Sequence, residues 1–143
     1  MTVAAIIAQK GRDVVTIEPG RSMAEAADLL AARRIGAVLV IGEGERLVGI
    51  LSERDVVRAV ASKGVAGLQE PVSRHMTEKV MTCTGATTMS DLMTMMTGGK
   101  FRHVPVLEDG RIGGIVSIGD VVKRRLAEME GETRAMRDYI ATA

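Results

Sequence analysis

The segment GILSERD, at residues 49–55, has a second copy in GIVSIGD, at residues 114–120, and each copy is followed by two valines. The copies share Gly, Ile, Ser and Asp at the same spacing, a frame that chance seldom produces. In each copy an apolar run ends at a serine three residues before an aspartate, which is the pattern of a capped helix start. The repeat predicts two equivalent strand-to-helix junctions, and therefore a chain built from two copies of one unit.

The residues before each junction repeat as well. A short β-rich segment (residues 14–17 and 80–84) precedes a helix whose N-cap is Ser22 or Thr88, and a strand, a glycine turn and a second strand follow. The returning strands are apolar almost throughout, as expected of strands covered by helices. The predicted buried helix stripes are Met23, Ala26, Ala27 and Leu30 in the first copy and Met89, Leu92, Met93 and Met96 in the second. Each copy is thus a β-α-β-β-α unit, which gives an α/β (α+β) fold.

The two copies define the domain organisation. Repeat one covers about residues 8–65 and repeat two about residues 72–127, with a glycine-containing linker between them. Neither repeat alone has the size to bury its sheet well. We therefore expect a single module over residues 1–143.

The C-terminal segment predicts an amphipathic helix at about residues 120–141. Its apolar residues recur at alternating four- and three-residue spacing: Val122, Leu126, Met129, Met136 and Ile140. Gly131 costs this helix about 1 kcal/mol relative to alanine. Two interpretations of the stripe remain open, packing against its own domain and pairing with a second chain.

The composition excludes several classes of protein. The chain has 19 basic and 18 acidic residues, a net charge of +1, and only one Phe and one Tyr, so we expect no nucleic-acid partner. No apolar run is long enough for a membrane span, and no export signal is evident. Cys83, as the single cysteine, excludes an internal disulfide and favours a cytoplasmic location. The two histidines form no metal-ligand cluster and no catalytic motif is present, so we expect neither a metal site nor an enzyme.

At the repeated Gly-x-x-Ser-x-x-Asp element, together with Arg102-His103-Val104-Pro105-Val106, the sequence resembles the tandem cystathionine-β-synthase-type (CBS) domains over nearly its whole length. The resemblance implies two pseudo-twofold related repeats packed sheet to sheet, with two clefts between them and the C-terminal helix as an extension. It also implies a regulatory module that binds an adenosine-containing ligand (AMP, ADP, ATP or NAD), requires no cofactor and signals through conformational change. We expect a homodimer with an unknown downstream protein partner. The alternative is a ligand-free interaction scaffold that dimerises through its terminal helices.

The family pattern, carried over by position, assigns residues of both repeats to each cleft. The first cleft takes Ser52, Arg54, Asp55, Val80, Arg102 and His103, and the second takes Val14, Gly36, Ala37, Ser117 and Asp120. A carboxylate at a helix start can accept hydrogen bonds from ribose hydroxyls, while Arg and His donate to phosphate oxygens. Because the second cleft has glycine and alanine where the first has arginine and histidine, we expect phosphorylated ligands in the first.

Each of these residues also has an interpretation without a ligand. Helix capping alone explains Ser52 and Asp55, and Arg102-His103 taken alone could be a solvated strand entry. His75 is predicted to be a surface or linker residue without partners. Cys83 and the methionines at 89, 93, 95 and 96 are predicted to fill core space.

Overall fold

Two small sheets, one from each repeat, form the framework of the computed structural model, which describes residues 1–142. A first helix α1 (Val3–Lys10) precedes repeat one, which contains β1 (Thr16–Ile17), α2 (Met23–Arg33), β2 (Ala37–Ile41), β3 (Leu47–Ser52) and α3 (Glu53–Lys63). Repeat two contains α4 (Met89–Gly99), β4 (His103–Glu108), β5 (Arg111–Ser117) and α5 (Ile118–Thr142). In the first sheet β1 pairs parallel with β2, and β2 antiparallel with β3; in the second, β4 pairs antiparallel with β5. The predicted fold of two repeats with a C-terminal helix is confirmed.

The opening strand of each repeat is shorter than predicted. Of residues 14–17 only Thr16 and Ile17 form a strand, and residues 80–84 contribute a single bridge between Cys83 and Val106. Cys83 makes both backbone hydrogen bonds of this bridge, to Pro105 and Leu107, at 3.0 and 2.8 Å. Each opening segment runs beside only one strand, so few of its residues find a backbone partner there.

The helix starts follow the capping chemistry expected from the sequence. The Ser22 hydroxyl accepts a hydrogen bond from the backbone N–H of Glu25, and the Thr88 hydroxyl accepts one from Asp91, each at 3.1 Å. Both bonds satisfy a backbone donor that the helix itself leaves unpaired. The predicted N-caps of α2 and α4 are therefore confirmed.

Each repeat has its own hydrophobic core on one face of its sheet. In repeat one Met23 and Leu30 of α2 share a core with Val38 of β2, and in repeat two Leu92 of α4 shares a core with Val104 of β4. Cys83 is buried in the second core, as predicted. The prediction for α4 was wrong at one position: Met93 is 42% exposed, because the buried face runs through Met89, Leu92 and Met96 and Met93 lies beside it. Ala27 of α2 is only partly buried for the same reason.

The segment before each repeat packs against the other repeat. Helix α1 precedes repeat one, but its Val3 lies in the core of repeat two. The backbone N–H of Val3 donates a hydrogen bond to the carbonyl of Thr87 at 2.8 Å. In the same way Val72, in the linker that joins α3 to Cys83 (residues 64–82), lies in the core of repeat one, and its backbone N–H donates to the carbonyl of Arg21 at 2.7 Å. Each repeat therefore needs a segment from beyond its own boundaries to complete its core, which favours folding as one unit.

The linker between the repeats is held by charges around Glu70. Its carboxylate lies 2.9 Å from the ammonium of Lys63 and 3.0 Å from the guanidinium of Arg74, and the hydrogen bonds from these two groups lower the pKa of Glu70. His75 lies close to the same carboxylate, with 3.7 Å between Nε2 and Oε1, and its side chain is only 17% exposed. His75 lies in the segment between the repeats, as predicted, but it is not at the surface, because the turn at Val72–Arg74 folds it back towards Glu70. Among the described residues its Nε2 has no hydrogen-bond partner.

Most of α5 extends away from the rest of the molecule. Val121 is its one buried residue among those described, while the apolar residues of the predicted stripe are at least half exposed. Of the two interpretations left open by the sequence, packing of the stripe against its own domain is therefore wrong. None of the helices in the described chain combines the length and the apolar composition that a bilayer crossing needs.

Candidate ligand-binding cleft

A cleft of about 620 Å³ opens between the two repeats, where the junction of β3 and α3 faces the start of β4. The linker supplies a third wall, because Ile50 of β3 and Thr77 exchange backbone hydrogen bonds of 3.0 and 2.9 Å and so hold the following residues at the cleft. The lining residues are Gly36, Ala37, Ile50, Ser52, Glu53, Arg54, Asp55, Arg58, Thr77, Lys79, Val80, Met81, Gly99, Lys100, Phe101, Arg102, His103, Ser117, Ile118 and Gly119.

Asp55 uses one carboxylate oxygen to cap its own helix. Its Oδ2 accepts hydrogen bonds from the backbone N–H and the hydroxyl of Ser52, at 2.8 and 3.1 Å. Its Oδ1 lies 3.8 Å from the guanidinium of Arg58, one helical turn further along α3. Because the cap occupies Oδ2, the capping role leaves Oδ1 available to accept from another donor.

Arg102 and His103 lie on the opposite wall of this cleft. The carbonyl of Arg102 accepts a hydrogen bond from the backbone N–H of Ile118 at 2.8 Å, which fixes the backbone where β4 begins. Burial lowers the pKa of His103, and the positive charges of Lys10 and Arg102 lower it further. The imidazole of His103 is therefore a neutral group at neutral pH, able to donate one hydrogen bond and accept another.

The two repeats approach closely at Gly36 and His103. A Cβ atom at Gly36 would lie 3.1 Å from Cε1 of His103, which is tighter than ordinary van der Waals contact. The neighbouring Glu53 donates its backbone N–H to the carbonyl of Gly36 at 2.9 Å. A glycine at this position thus lets the histidine of repeat two reach the helix start of repeat one.

Positive charge predominates in the lining of the cleft. Five basic side chains, Arg54, Arg58, Lys79, Lys100 and Arg102, face two acidic ones, Glu53 and Asp55. Arg58, Lys79 and Lys100 are not among the site residues predicted from the sequence. Arg58 could have been found from its spacing, since a residue three positions after Asp55 lies on the same helix face. No spacing pattern in the sequence places either lysine near Asp55.

The residues assigned to a second cleft are divided between two places. Gly36, Ala37 and Ser117 line the cleft that contains Asp55, whereas Val14 and Asp120 do not. Val14 is partly buried just before β1.

Asp120 is engaged by groups of its own chain. Its Oδ2 accepts hydrogen bonds from the backbone N–H and hydroxyl of Ser117, at 2.8 and 3.0 Å, and from the ammonium of Lys10 at 2.6 Å. Lys10 also donates to the carbonyl of Ile115 at 2.8 Å. Burial alone would raise the pKa of Asp120, but the hydrogen bonds from Lys10 and Ser117 outweigh it and the pKa is lowered. Asp120, which the family pattern assigns to a second ligand, is thus already paired with Lys10 of its own chain.

Other chemistry in the described residues is limited. His, Cys, Asp and Glu side chains nowhere gather in groups of three that could hold a metal ion. Burial raises the pKa of the Cys83 thiol to about 11, so this group stays protonated at neutral pH and is a poor nucleophile. The lining of the cleft combines hydrogen-bonding and charged groups with apolar side chains such as Ile50, Val80 and Phe101.

Comparison with known proteins finds both repeats. A model of the CBS domain matches residues 7–62 and again residues 72–127. The crystal structure of a CBS-domain containing protein from Agrobacterium tumefaciens is 52% identical in sequence, with a TM-score of 0.85 over 87% of this chain and 92% of that chain.

Two further similar structures contain adenosine compounds. A CBS domain protein from Pyrobaculum aerophilum, complexed with AMP, is 25% identical with a TM-score of 0.75, over 84% of this chain and 89% of that one. The CBS domain pair of protein MJ0100, in complex with 5′-methylthioadenosine and S-adenosyl-L-methionine, is 25% identical with a TM-score of 0.77, over 86% of this chain and 98% of that one.

Proposed function

The chain belongs to the CBS domain family, and from this premise we propose that it is a regulatory module that senses a phosphorylated adenosine ligand in the cleft at Asp55. The candidate ligands are AMP, ADP, ATP and NAD. Binding and the change in packing that follows it constitute the whole activity, with no catalytic step. The observation that carries the proposal is the meeting of the Asp55 carboxylate with a predominantly basic set of side chains in one cleft between the repeats.

The charge of the cleft favours phosphorylated ligands over other adenosine compounds. Similar proteins bind AMP in one case and 5′-methylthioadenosine and S-adenosyl-L-methionine in another. The sulfonium of S-adenosyl-L-methionine is positively charged and 5′-methylthioadenosine carries no phosphate. Five basic side chains against two acidic ones attract a phosphate and repel a sulfonium.

The proposed roles divide between the two walls. On the wall of repeat one, Oδ1 of Asp55 accepts hydrogen bonds from the ribose hydroxyls, since Oδ2 is used by Ser52. On the wall of repeat two, Arg102 binds phosphate oxygens through parallel donors, and His103 donates to phosphate. Backbone at Gly36 and Ala37 lies beside the same ligand, which therefore bridges both repeats.

A ligand that bridges the repeats provides a physical basis for signalling. Each repeat has its own core, and the cleft lies where residues of both repeats meet. A bound nucleotide adds contacts that depend on the relative position of the repeats, so it favours one arrangement over others by its difference in binding free energy. A partner protein in the cytoplasm would recognise that arrangement.

The direct test is calorimetry and thermal denaturation with a panel of ligands. AMP, ADP, ATP and NAD are compared with 5′-methylthioadenosine and S-adenosyl-L-methionine. We expect at least one phosphorylated ligand to bind with one site per chain and to raise the melting temperature through mass action. We expect weaker or no binding of the two compounds without phosphate. Binding by neither group contradicts the proposal, and preferential binding of S-adenosyl-L-methionine contradicts the charge argument.

Asp55 and Asp120 provide a matched pair of variants, because both cap a helix through the same bonds to a serine. Asp55→Ala and Asp120→Ala therefore carry a similar loss of capping, to which Asp120→Ala adds the loss of the ion pair with Lys10, but only Asp55 lines the cleft. We expect Asp55→Ala to weaken nucleotide binding at least tenfold and Asp120→Ala to leave it within about twofold of the unchanged protein. Equal losses in both variants would show that the effect is structural.

A further inference from the structure

Helix α5 carries an apolar stripe for which the described residues provide no cover. The exposed fractions of its side chains are 51% at Val122, 54% at Leu126, 50% at Met129, 61% at Met136 and 66% at Ile140. Exposed apolar residues scattered singly are ordinary on protein surfaces, but a continuous row over a 25-residue helix is not. Such a row is typical of a surface that binds a partner.

The spacing of the row is that of a two-stranded coiled coil. Leu126, Thr133 and Ile140 occupy a positions of a heptad, and Val122, Met129 and Met136 occupy d positions, without interruption. Thr133, the one polar residue in the row, lies at its middle. A second helix with the same spacing would cover the row along its whole length.

The row is accessible because the body of the molecule lies against another face of α5. Val121 is buried there, and the guanidinium of Arg124 donates to the side-chain oxygen of Gln9 in α1 at 2.9 Å. With 3.6 residues per turn, this face is about a third of a turn from the apolar row. A second helix can therefore lie on the row without displacing α1.

The charges beside the row select both the partner and its direction. In a parallel pair of identical helices in the same register, residues at g positions meet residues five positions later on the other helix. Arg125 then faces Glu130 of the second copy, and Glu132 faces Arg137 of the second copy. Each pair occurs twice by symmetry, and all four are attractive.

The antiparallel arrangements fit less well. The six positions of the row form the seam of the coiled coil. When all six overlap in an antiparallel pair, Lys123 faces Arg137 of the second copy and Glu130 faces Glu130 of the second copy. Both contacts are repulsive. A shift by one heptad restores opposite charges but brings only the first four seam positions into contact. The parallel arrangement alone combines the full seam with attractive charges.

We propose that α5 pairs with α5 of a second copy of this chain, as a parallel, in-register two-stranded coiled coil. The contact is isologous, so it closes at two chains and exposes no further seam. This inference does not depend on the proposed ligand, because no seam residue lines the cleft.

The first test is oxidative crosslinking of the full chain. A parallel, in-register pair places Thr133 opposite Thr133 of the second copy, so Thr133→Cys should form a covalent dimer quickly at micromolar concentration. Ala135→Cys, on the outer face, is the matched control and should crosslink at least tenfold more slowly. Cys83 does not compete, since it is buried and its thiol is protonated. Crosslinking of both variants at equal rates, or of neither, overturns the proposal.

The second test uses charge reversal, read out by light scattering and sedimentation, with circular dichroism to verify the fold. The unchanged protein should be dimeric, and Arg125→Glu should raise the dimer dissociation constant at least tenfold. In a parallel pair, adding Glu130→Arg should restore most of the dimer affinity, because residues 125 and 130 again carry opposite charges. In the shifted antiparallel pair it adds a second repulsion, because residue 130 then faces Lys123. Arg134→Glu, which makes the same charge change away from the seam, should leave the dimer intact. A monomer at every concentration, or no rescue in the double variant, overturns the proposal.

Discussion

Lys10 at the end of α1 and Asp120 in the first turn of α5 form an ion pair, with 2.6 Å between Nζ and Oδ2, that connects two helices from opposite ends of the chain. The pair is partly shielded from solvent, and Lys10 is also held by the carbonyl of Ile115. It fixes α1 on repeat two in addition to the burial of Val3, Ile6 and Ile7. The polar contact and the apolar one both secure a segment that repeat two needs to complete its core.

Lys10→Met should therefore destabilise the protein, and the effect should depend on pH. The hydrogen bonds from Lys10 and Ser117 lower the pKa of Asp120 below its ordinary value of 3.8. A carboxylate with a lowered pKa stabilises the folded state above its unfolded pKa, and this contribution is lost as the pH falls through the folded pKa. We expect the variant to lose about 1 kcal/mol of unfolding free energy at pH 7 and progressively less as the pH falls below about 4, as measured by urea denaturation.

Lys10→Arg is the control for this prediction, because it keeps the charge and should retain most of the stability. A loss of stability in Lys10→Met that is the same at pH 3 and pH 7 would contradict the ion-pair explanation. It would show that packing of the lysine methylenes, and not the charge, holds α1.

The repeat made the fold predictable from the sequence. The spacing of Ser52 and Asp55 was reproduced at Ser117 and Asp120, so strand, junction and helix could be placed twice from one pattern. What the sequence could not show was the exchange of the preceding segments. Val3 and Val72 are ordinary apolar residues in short stretches, and no periodicity indicates against which repeat they pack.

The candidate site was predictable in part for a related physical reason. Residues at helix starts, such as Asp55, are marked by local capping chemistry that can be read from the sequence. Lys79 and Lys100 reach the cleft only through the course of the linker and the end of α4, which depend on tertiary packing. The contact between Lys10 and Asp120 joins residues far apart in the chain, and a single sequence contains no signal of such a pair.

Nucleotide affinity should rise as the pH is lowered from 8 to 6. Burial, together with Lys10 and Arg102, holds the pKa of His103 below its ordinary value of 6.5, so the imidazole of the free protein is predominantly neutral at pH 7 and above. An adjacent phosphate favours the charged form and raises this pKa, so the complex takes up a proton. By linkage, a complex that binds more protons than its components becomes tighter at lower pH.

His103→Gln tests this pH dependence by calorimetry with the same nucleotide, because the ligand phosphate titrates in this range as well. The ratio of affinities between the unchanged protein and the variant should grow at least threefold from pH 8 to pH 6. A constant ratio would exclude His103 as the group that takes up the proton.

Gly36→Ala should weaken nucleotide binding with little effect on stability. The added methyl group would lie 3.1 Å from Cε1 and 3.3 Å from Nε2 of His103, so the imidazole must shift away from the cleft wall of repeat one. Movement of a donor by a few tenths of an ångström weakens its hydrogen bond to a ligand, and we expect about a tenfold loss of affinity. When Gly36→Ala is made in the His103→Gln background, it should weaken nucleotide binding much less than in the unchanged protein. A double-mutant cycle of these two substitutions therefore checks that the effect passes through His103.

Gly67→Ala should destabilise the whole protein, because the linker leaves no space for a side chain at this residue. A Cβ atom there would lie 2.6 Å from the carbonyl oxygen and 3.1 Å from the carbonyl carbon of Ala59 in α3. Those atoms belong to the backbone of a helix, so they cannot move aside as a flexible side chain would. We expect a loss of about 1–3 kcal/mol in thermal or urea denaturation.

Gly20→Ala is the matched control for Gly67→Ala, since no atom lies within 4 Å of its Cβ position. It should change stability by less than about 0.5 kcal/mol. Because the linker that follows Gly67 also brings Lys79 to the cleft, Gly67→Ala should weaken nucleotide binding as well. Retention of full stability and full affinity in Gly67→Ala would mean that the linker can move away from α3, and that the third wall of the cleft is not fixed by this contact.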